Sequence, residues 1–273
     1  MRVVRARLAP EQAFRTGKFC HLRPTTRIIT SDTTVETGTG HASLVFVKRA
    51  VPMQLCSEVY PVVRGMATKS RARAQASGPL TDKTRNKVKS HPGLRQVNSY
   101  AYVQYHPNKY AKPGGFQYAN SVDSGTVGWV GDNTITRYTA DHFDDKYNVA
   151  LRLASQVDAG FRKHVPGRHR AMAGSLKGRP KMSPAFTTMA ANYNFRTAMH
   201  RDNKTMKGSM LVFTVLGDDK VRGGLLVFPQ LDVAVDMRVG DMLAFDAELL
   251  HCNTAFQNKG FHRLSCVFYN HVP

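Results

Sequence analysis

The sequence predicts an α+β chain in which a scaffold helix precedes an antiparallel β-sandwich or barrel. Three observations carry that expectation. Residues 141–165 repeat apolar side chains at three- and four-residue steps, the spacing of one helix face. Residues 210–269 hold five short β-type runs separated by turn residues, with no helical pattern between them. Apolar residues make up 42% of the 273, enough for one sizeable core.

In chain order, residues 1–60 mix Thr-rich stretches with the apolar run 44–47 (LVFV), which reads as a strand. The following VPMQLCSEVYPVV has helical spacing at its start, and Pro61 is expected to end that helix. Residues 64–95 are strongly cationic, with Asp82 as the one acid, and Gly78-Pro79 and Pro92-Gly93 break them into loops. Such a stretch is either a loop that contacts nucleic-acid phosphates or a solvated linker. YAYVQY (100–105) alternates as a strand does, and aromatic residues there either stack on bases or pack a core.

The helix at 141–165 has Phe143, Tyr147, Leu151, Ala154, Val157 and Phe161 on one face. Asp141, Asp144 and Asp145 open it, Lys163 and His164 close it, and Pro166 stops it. The basic, Gly/Pro-punctuated segment 166–183 reads as a loop. The β-type runs are 210–216, 225–229, 233–237, 241–246 and 263–269, with Gly217-Asp218-Asp219, Gly223-Gly224 and Gly240-Asp241 between them.

The chain carries 39 Lys+Arg against 19 Asp+Glu, a net charge of +20. That excess points to a polyanionic partner, nucleic acid first. Cys20, Cys56, Cys252 and Cys266 form no CxxC pair, so a cysteine zinc site and a disulfide framework are both unexpected. The start of the chain has no signal-peptide apolar region, and no stretch approaches a membrane span, so no membrane partner is expected.

The chemistry is expected at His200, Asp202 and His251. Two imidazoles and one carboxylate on one face of an iron leave three positions open, the logic of non-haem Fe(II) oxygenases. In an extended segment residues two apart point the same way, so His200 and Asp202 converge on one ion, and His251 arrives from another strand. Arg263 starts the last strand, where a fixed guanidinium suits bidentate capture of a carboxylate, and Ser265 shares its face. The plainer alternative is a satisfied core histidine at 251 and a surface ion pair at 263. Asp246 and Glu248 either orient His251 as acceptors or stand as exposed loop acids. Among other histidines, His142 and His164 are expected on helix surfaces, and His21, His41, His91, His106 and His169 exposed.

The segments FTTMAANYNFRTAMHRD (186–202), GSMLVFTVLG (208–217), GGLLVFPQLDVAVDMRVGDMLAFDAELLHCN (223–253) and HRLSCVFYNH (262–271) together resemble the TET/JBP family. These are Fe(II)- and 2-oxoglutarate-dependent dioxygenases that oxidise the methyl group of 5-methylcytosine or thymine in nucleic acid. The resemblance spans residues 184–271 and extends more weakly over 64–131, where ANSVDSGTVGW resembles substrate-side elements. It implies an α+β fold with a double-stranded β-helix (jelly-roll, cupin-like) core, supporting N-terminal helices and basic loops.

Carried over residue by residue, the resemblance makes His200, Asp202 and His251 the iron ligands. Arg263 becomes the 2-oxoglutarate anchor, Ser265 its helper, and Arg196 a contact to the cosubstrate's other carboxylate. Tyr269 and His271 match positions that stack on and hydrogen-bond a flipped base, and Asn120 and Ser121 match a further base contact. Where the family often carries Asp or Asn near the base, this chain has Thr205. The reaction implied converts 2-oxoglutarate to succinate while the methyl becomes hydroxymethyl, with formyl and carboxyl products on repeated turnover. Ascorbate is carried as an alternative cosubstrate, and a protein (prolyl-type) hydroxylase as an alternative activity. The expected whole is one catalytic domain, 1–273: a substrate-side elaboration over 1–135, and scaffold helix plus jelly-roll core over 136–273. It is expected to act on DNA, with RNA as the other candidate, as a monomer in the nucleus.

Overall fold

The computed structural model describes residues 1–38, 40–89, 94–104, 116–130, 134–142, 145–202 and 205–271. In chain order the strands and helices are β1 (Arg2–Arg5), β2 (Arg27–Ile29), β3 (Thr33–Glu36), β4 (Ala42–Val47), α1 (Met53–Met66), β5 (Thr68–Ser70), α2 (Asp82–Lys89), β6 (Leu94–Asn98), β7 (Ala101–Gln104), β8 (Phe116–Tyr118) and β9 (Val122–Gly128). They continue with α3 (Arg137–Asp141), α4 (Lys146–His164), α5 (Pro166–Ser175), β10 (Thr188–Tyr193), β11 (Met210–Gly217), β12 (Leu226–Phe228), β13 (Val233–Val235), β14 (Met242–Asp246), β15 (Cys252–Asn253) and β16 (Arg263–Tyr269).

Two sheets make the body of the molecule. The larger has nine strands in the order β1-β3-β4-β14-β11-β16-β10-β9-β5, antiparallel except for β1 with β3. The smaller runs β15-β12-β13-β2. Leu211, Phe213, Leu243, Phe245 and Val267 of the large sheet pack against Leu226, Phe228, Val233 and Val235 of the small one. That pair of faces is the jelly-roll core expected of the chain. The opposite face of the large sheet presents Val212, Leu216, Ala244, Leu264 and Phe268 to Val59, Val63, Leu153, Val157 and Phe161 of α1 and α4. Both faces are therefore covered, which explains why β11 and β16 read as unbroken apolar runs instead of alternating ones. Gly125 marks where the layers touch most closely. A Cβ there would lie 1.9 Å from the Met66 carbonyl oxygen, so only glycine lets the end of α1 cross β9.

Several expectations need correction. Pro61 does not end α1, which continues to Met66. Proline costs one internal hydrogen bond, and burial of Val59, Val63 and Met66 on either side offsets it. The basic stretch is not a succession of loops. Thr68–Ser70 pairs with β9, and Asp82–Lys89 is a helix whose Val88 packs with Leu80 and Tyr102 over the small sheet β6-β7-β8. Tyr102 is thus a core residue. The scaffold helix starts at Lys146 under an Asp145 cap, and Pro166 opens a new helix where a loop is expected. Proline is tolerated at a first helical position, and α5 is held by buried Met172 and His169. His169 is therefore not exposed: its Nε2 meets Asp158 Oδ2 at 2.9 Å, while Asp158 Oδ1 accepts from Ser183 Oγ and the Ala185 amide. That network ties α4, α5 and the 183–185 turn together. β1, β3 and β4, from residues 1–135, extend the large sheet beyond β14. His91, His106, Tyr105, Phe143, Asp144 and the Pro92-Gly93 pair lie outside the described residues.

Candidate metal centre and cavity

His200 and His251 sit opposite each other in a short antiparallel bridge, each amide donating to the other's carbonyl at 3.0 Å. Their rings are 4.3 Å apart, centre to centre. Asp202, two residues on from His200, brings Oδ1 to 3.7 Å from His200 Nε2 and Oδ2 to 3.8 Å from His251 Nε2. One ligand atom from each of the three lies within 4.8 Å of the others. The extended backbone after Ala198 thus does what its two-residue period requires.

Second partners orient both imidazoles. His200 Nδ1 faces the Ala198 carbonyl at 2.8 Å, and His251 Nδ1 faces the Leu249 carbonyl at 3.1 Å. Each carbonyl takes the Nδ1–H, so each Nε2 keeps its lone pair for a cation. The orienting groups are backbone carbonyls and not carboxylates. Asp246 instead pairs with Arg168 at 3.0 Å, its carboxyl pushed up by burial, and Glu248 is exposed. His251 is walled by Phe245, Phe213 and Phe228, with ring centres at 5.1, 6.3 and 6.4 Å. Burial first, then neighbouring His200, pushes its pKa down to about 4. It is therefore neutral, the form that binds metal. A donor set of two imidazoles and one carboxylate suits Fe(II).

The three residues share the wall of a cavity of about 440 Å³, a usual size for a ligand pocket. Ser265 and Tyr269 of β16 line it, with Thr205 and His271 at the end where these two form a bridge. Alternation along β16 puts Ser265, Val267 and Tyr269 on the cavity side, and Leu264, Cys266 and Phe268 toward the helices. The Tyr269 and His271 rings are 6.3 Å apart. Burial pushes the Tyr269 phenol up to about 12, so it remains a hydroxyl donor.

Arg263 is buried at the start of β16, on the same face as Ser265. Its guanidinium lies 5.7 Å over the Phe256 ring and has no hydrogen bond or ion pair among the described residues. Burial lowers its pKa to about 10, which leaves it charged. Glycine at 224 makes room for the ring beneath it, since a Cβ there would lie 2.2 Å from Phe256. Asp236 acts on it from a distance but is paired with Arg238 at 2.7 Å, so the desolvated guanidinium has no carboxylate in contact. A buried guanidinium with no direct ion pair fits the distal carboxylate of a bound dicarboxylate.

Four expected contacts are absent from the cavity wall: Arg263, which lies behind Ser265 at the start of β16, and Arg196, Asn120 and Ser121. Arg196 donates to the Cys20 carbonyl at 3.2 Å and stacks over Phe19 at 4.4 Å, away from the cavity wall. Asn120 donates to the Ser77, Gly78 and Pro79 carbonyls and accepts from the Thr81 amide and the Thr84 hydroxyl, so it staples the 77–84 turn. Ser121 is exposed and absent from the cavity wall. In exchange the structure brings in Arg73, which is visible in the sequence only as one cation of a basic run. Its Nε donates to Ser124 Oγ at 2.7 Å, and Ser124 Oγ donates to Asn192 Oδ1 at 2.7 Å. Both Arg73 and Asn192 face the cavity. No motif marks either residue; the pairing of β9 with β10 does.

Comparison with known proteins gives a consistent set of matches. The family described as Tet_JBP, oxygenase domain of the 2OGFeDO superfamily, matches residues 59–272. The bifunctional helicase and thymine dioxygenase JBP2 of Trypanosoma brucei brucei is 23% identical over 246 residues, covering 89% of this chain and 20% of that protein. Thymine dioxygenase JBP1 of the same organism is 38% identical over 140 residues, covering 49% of this chain and 16% of that protein. The chain therefore spans a fifth or less of these relatives. Among solved structures, NgTET1 in complex with 5mC DNA superposes with a TM-score of 0.53 at 14% identity, covering 91% of this chain and 83% of that one. At that identity the likeness shows the fold.

Proposed function

The chain belongs to the Tet_JBP family of oxygenase domains in the 2OGFeDO superfamily, and from that premise we propose that it oxidises the C5 methyl group of 5-methylcytosine or thymine in DNA. Fe(II) is the resident metal of this reading and 2-oxoglutarate its cosubstrate. The observation that carries it is co-location: His200, Asp202 and His251 share one cavity with Ser265, Tyr269, Thr205 and His271.

Iron and the 2-oxo acid together would supply the oxidising chemistry. His200 Nε2, His251 Nε2 and an Asp202 carboxylate oxygen would hold the metal, and Arg263 with Ser265 would hold the distal carboxylate. A buried guanidinium with no direct ion pair favours the dicarboxylate over ascorbate. A base inside a duplex cannot reach a buried ion, so it must leave the stack. Tyr269 then offers a π-face, and His271 and Thr205 offer hydrogen-bonding groups at the base edge. The apolar collar around His251 excludes water from the inner end of the site. The first product is the hydroxymethyl base, with further oxidation on repeated turnover.

DNA is favoured over RNA because the relatives are named as thymine dioxygenases and the structural neighbour is described with 5mC DNA. The net charge of +20 suits a polyanion. We read the protein as a monomer, placed with genomic DNA in the nucleus. No helix among the described residues is long and apolar enough to cross a membrane.

The test is incubation with Fe(II), 2-oxoglutarate or ascorbate, and duplexes carrying 5-methylcytosine or thymine, followed by mass spectrometry of nucleosides. A gain of one oxygen on either base supports the reading. Succinate release without base oxidation would overturn it and turn attention to a protein hydroxylase.

A further inference from the structure

Between Asp158 and Asp202 the chain contains no acidic residue, while it places lysines and arginines along the end of α4, through α5 and beyond. The structure gathers part of that excess around one cleft of about 550 Å³ on the outer surface of the helix layer. Arg162, Arg170, Lys177 and Lys181 stand around it, and Pro166 and His169 line it. All four cations are exposed, and none pairs with a carboxylate among the described residues. Arg168, on the same helix, is the one that finds an acid, and it turns away to Asp246. The favourable field at a helix C-terminus accounts for Arg162 at the end of α4. It does not account for Arg170, in the middle of α5, or for Lys181 in the segment after it. Lys181 is also placed, its ammonium donating to the Leu176 carbonyl at 3.1 Å. Four like charges around one hollow repel each other unless an anion sits among them.

This cleft is remote from the cavity. The cavity uses the face of the large sheet that carries Ala190, Phe213 and Val267, whereas α4 packs on the opposite face, with α5 joined to it through Asp158 and His169. A sheet and a helix layer together separate the two surfaces by roughly 20 Å. Duplex DNA is stiff on that scale, so one segment cannot serve both without a sharp and costly bend.

We propose that the α4–α5 cleft binds the phosphate backbone of a second segment of DNA, so that the protein bridges the segment it oxidises and another. The proposal rests on the reading of the protein as a DNA oxygenase, but its test does not. A short methylated duplex of about 12 base pairs, roughly one helical turn, is titrated into the protein at low salt and the stoichiometry read by analytical ultracentrifugation. The wild type is expected to take up two duplexes, the second lost first as salt rises. The triple variant Arg170→Ser/Lys177→Ser/Lys181→Ser is expected to take up one. It should melt at the wild-type temperature and oxidise the short duplex at the wild-type rate. A control with the same loss of charge elsewhere, Lys220→Ser/Arg222→Ser/Lys259→Ser, is expected to keep both. One duplex on the wild type, two on the cleft variant, or loss of the second in the control as well would each overturn the proposal. Capture on phosphatidylserine vesicles that the cleft variant loses, with both duplexes retained, would overturn it in favour of a membrane surface. If neither protein oxidises the duplex while the stoichiometries come out as expected, the oxygenase reading fails and the cleft stands.

Discussion

His200 and His251 lie directly opposite each other, joined by a reciprocal pair of backbone hydrogen bonds of 3.0 Å. The two imidazoles of the candidate metal centre are therefore fixed by main chain and do not depend on packing to meet. Removing either ring should leave the bridge and the fold intact. His200→Ala, His251→Ala and Asp202→Ala are each expected to weaken Fe(II) or Mn(II) binding by more than about 100-fold, since even outer partners of metal ligands are worth 10–100-fold. Calorimetric titration reads the metal, and retained DNA binding in the same variants shows the fold is intact. Metal binding at wild-type strength in any of them would remove that residue from the ligand set.

Burial holds the His251 pKa near 4 in the folded chain, against 6.5 for the free side chain. The unfolded metal-free chain therefore takes up a proton below pH 6.5 that the folded chain refuses. Stability from this group is fully present above pH 6.5 and lost as pH falls toward 4, by up to roughly 3 kcal/mol. Melting temperatures of the metal-free protein between pH 7 and 4 should fall more steeply in the wild type than in His251→Gln. Parallel curves would show that His251 titrates normally.

Arg263 is a buried guanidinium with no direct ion pair among the described residues, and Asp236, which acts on it from a distance, is paired with Arg238. Arg263→Gln is expected to raise the KM for 2-oxoglutarate by at least about 30-fold, the low end of the loss of about 2–5 kcal/mol for one partner of a desolvated charge pair. Arg263→Lys should recover little, because an ammonium lacks the planar fork. Metal affinity should stay the same in both. If ascorbate rather than the dicarboxylate is the cosubstrate, the 2-oxoglutarate dependence will be missing in the wild type already.

The convergence of His200, Asp202 and His251 was legible because its signal is local: HxD needs only the two-residue period of an extended chain to converge. The strand register that puts Ser265 and Tyr269 on one face was legible for the same reason. What escaped depends on pairing between distant segments. Arg73 reaches the cavity because β9 lies beside β10, and nothing in a basic run singles out one arginine. Asn120 and Arg196 were read into the site, but each has backbone carbonyls closer to hand, and carbonyl partners leave no trace in a sequence. The helix at 166–175 was hidden because its apolar face is two side chains, Met172 and His169, and histidine does not count as apolar in a periodicity reading.

Asn120 joins five groups of the 77–84 turn, which precedes α2 and adjoins the Arg73–Ala76 part of the cavity wall. Asn120→Ala leaves those groups without their partner and is expected to cost about 2–3 kcal/mol, the price of one or two unsatisfied buried polar groups. Chemical denaturation should show that loss. Discrimination between methylated and unmethylated duplex should not change, which separates a staple from a residue that reads the base.

Tyr269 lies in the cavity on the same strand face as Ser265, with His271 6.3 Å beyond it. If its ring stacks on the flipped base, Tyr269→Ala should reduce kcat/KM on methylated duplex by about 5–150-fold, the equivalent of one lost base-stacking contact. Tyr269→Phe keeps the π-face and should lose far less. Neither change touches the metal or Arg263, so succinate release without substrate should persist, and the ratio of succinate to oxidised base should rise in Tyr269→Ala alone. A parallel fall in both products would mean the tyrosine supports the metal centre instead of the base. Equal losses in the Phe and Ala variants would assign its contribution to the hydroxyl, which burial keeps protonated.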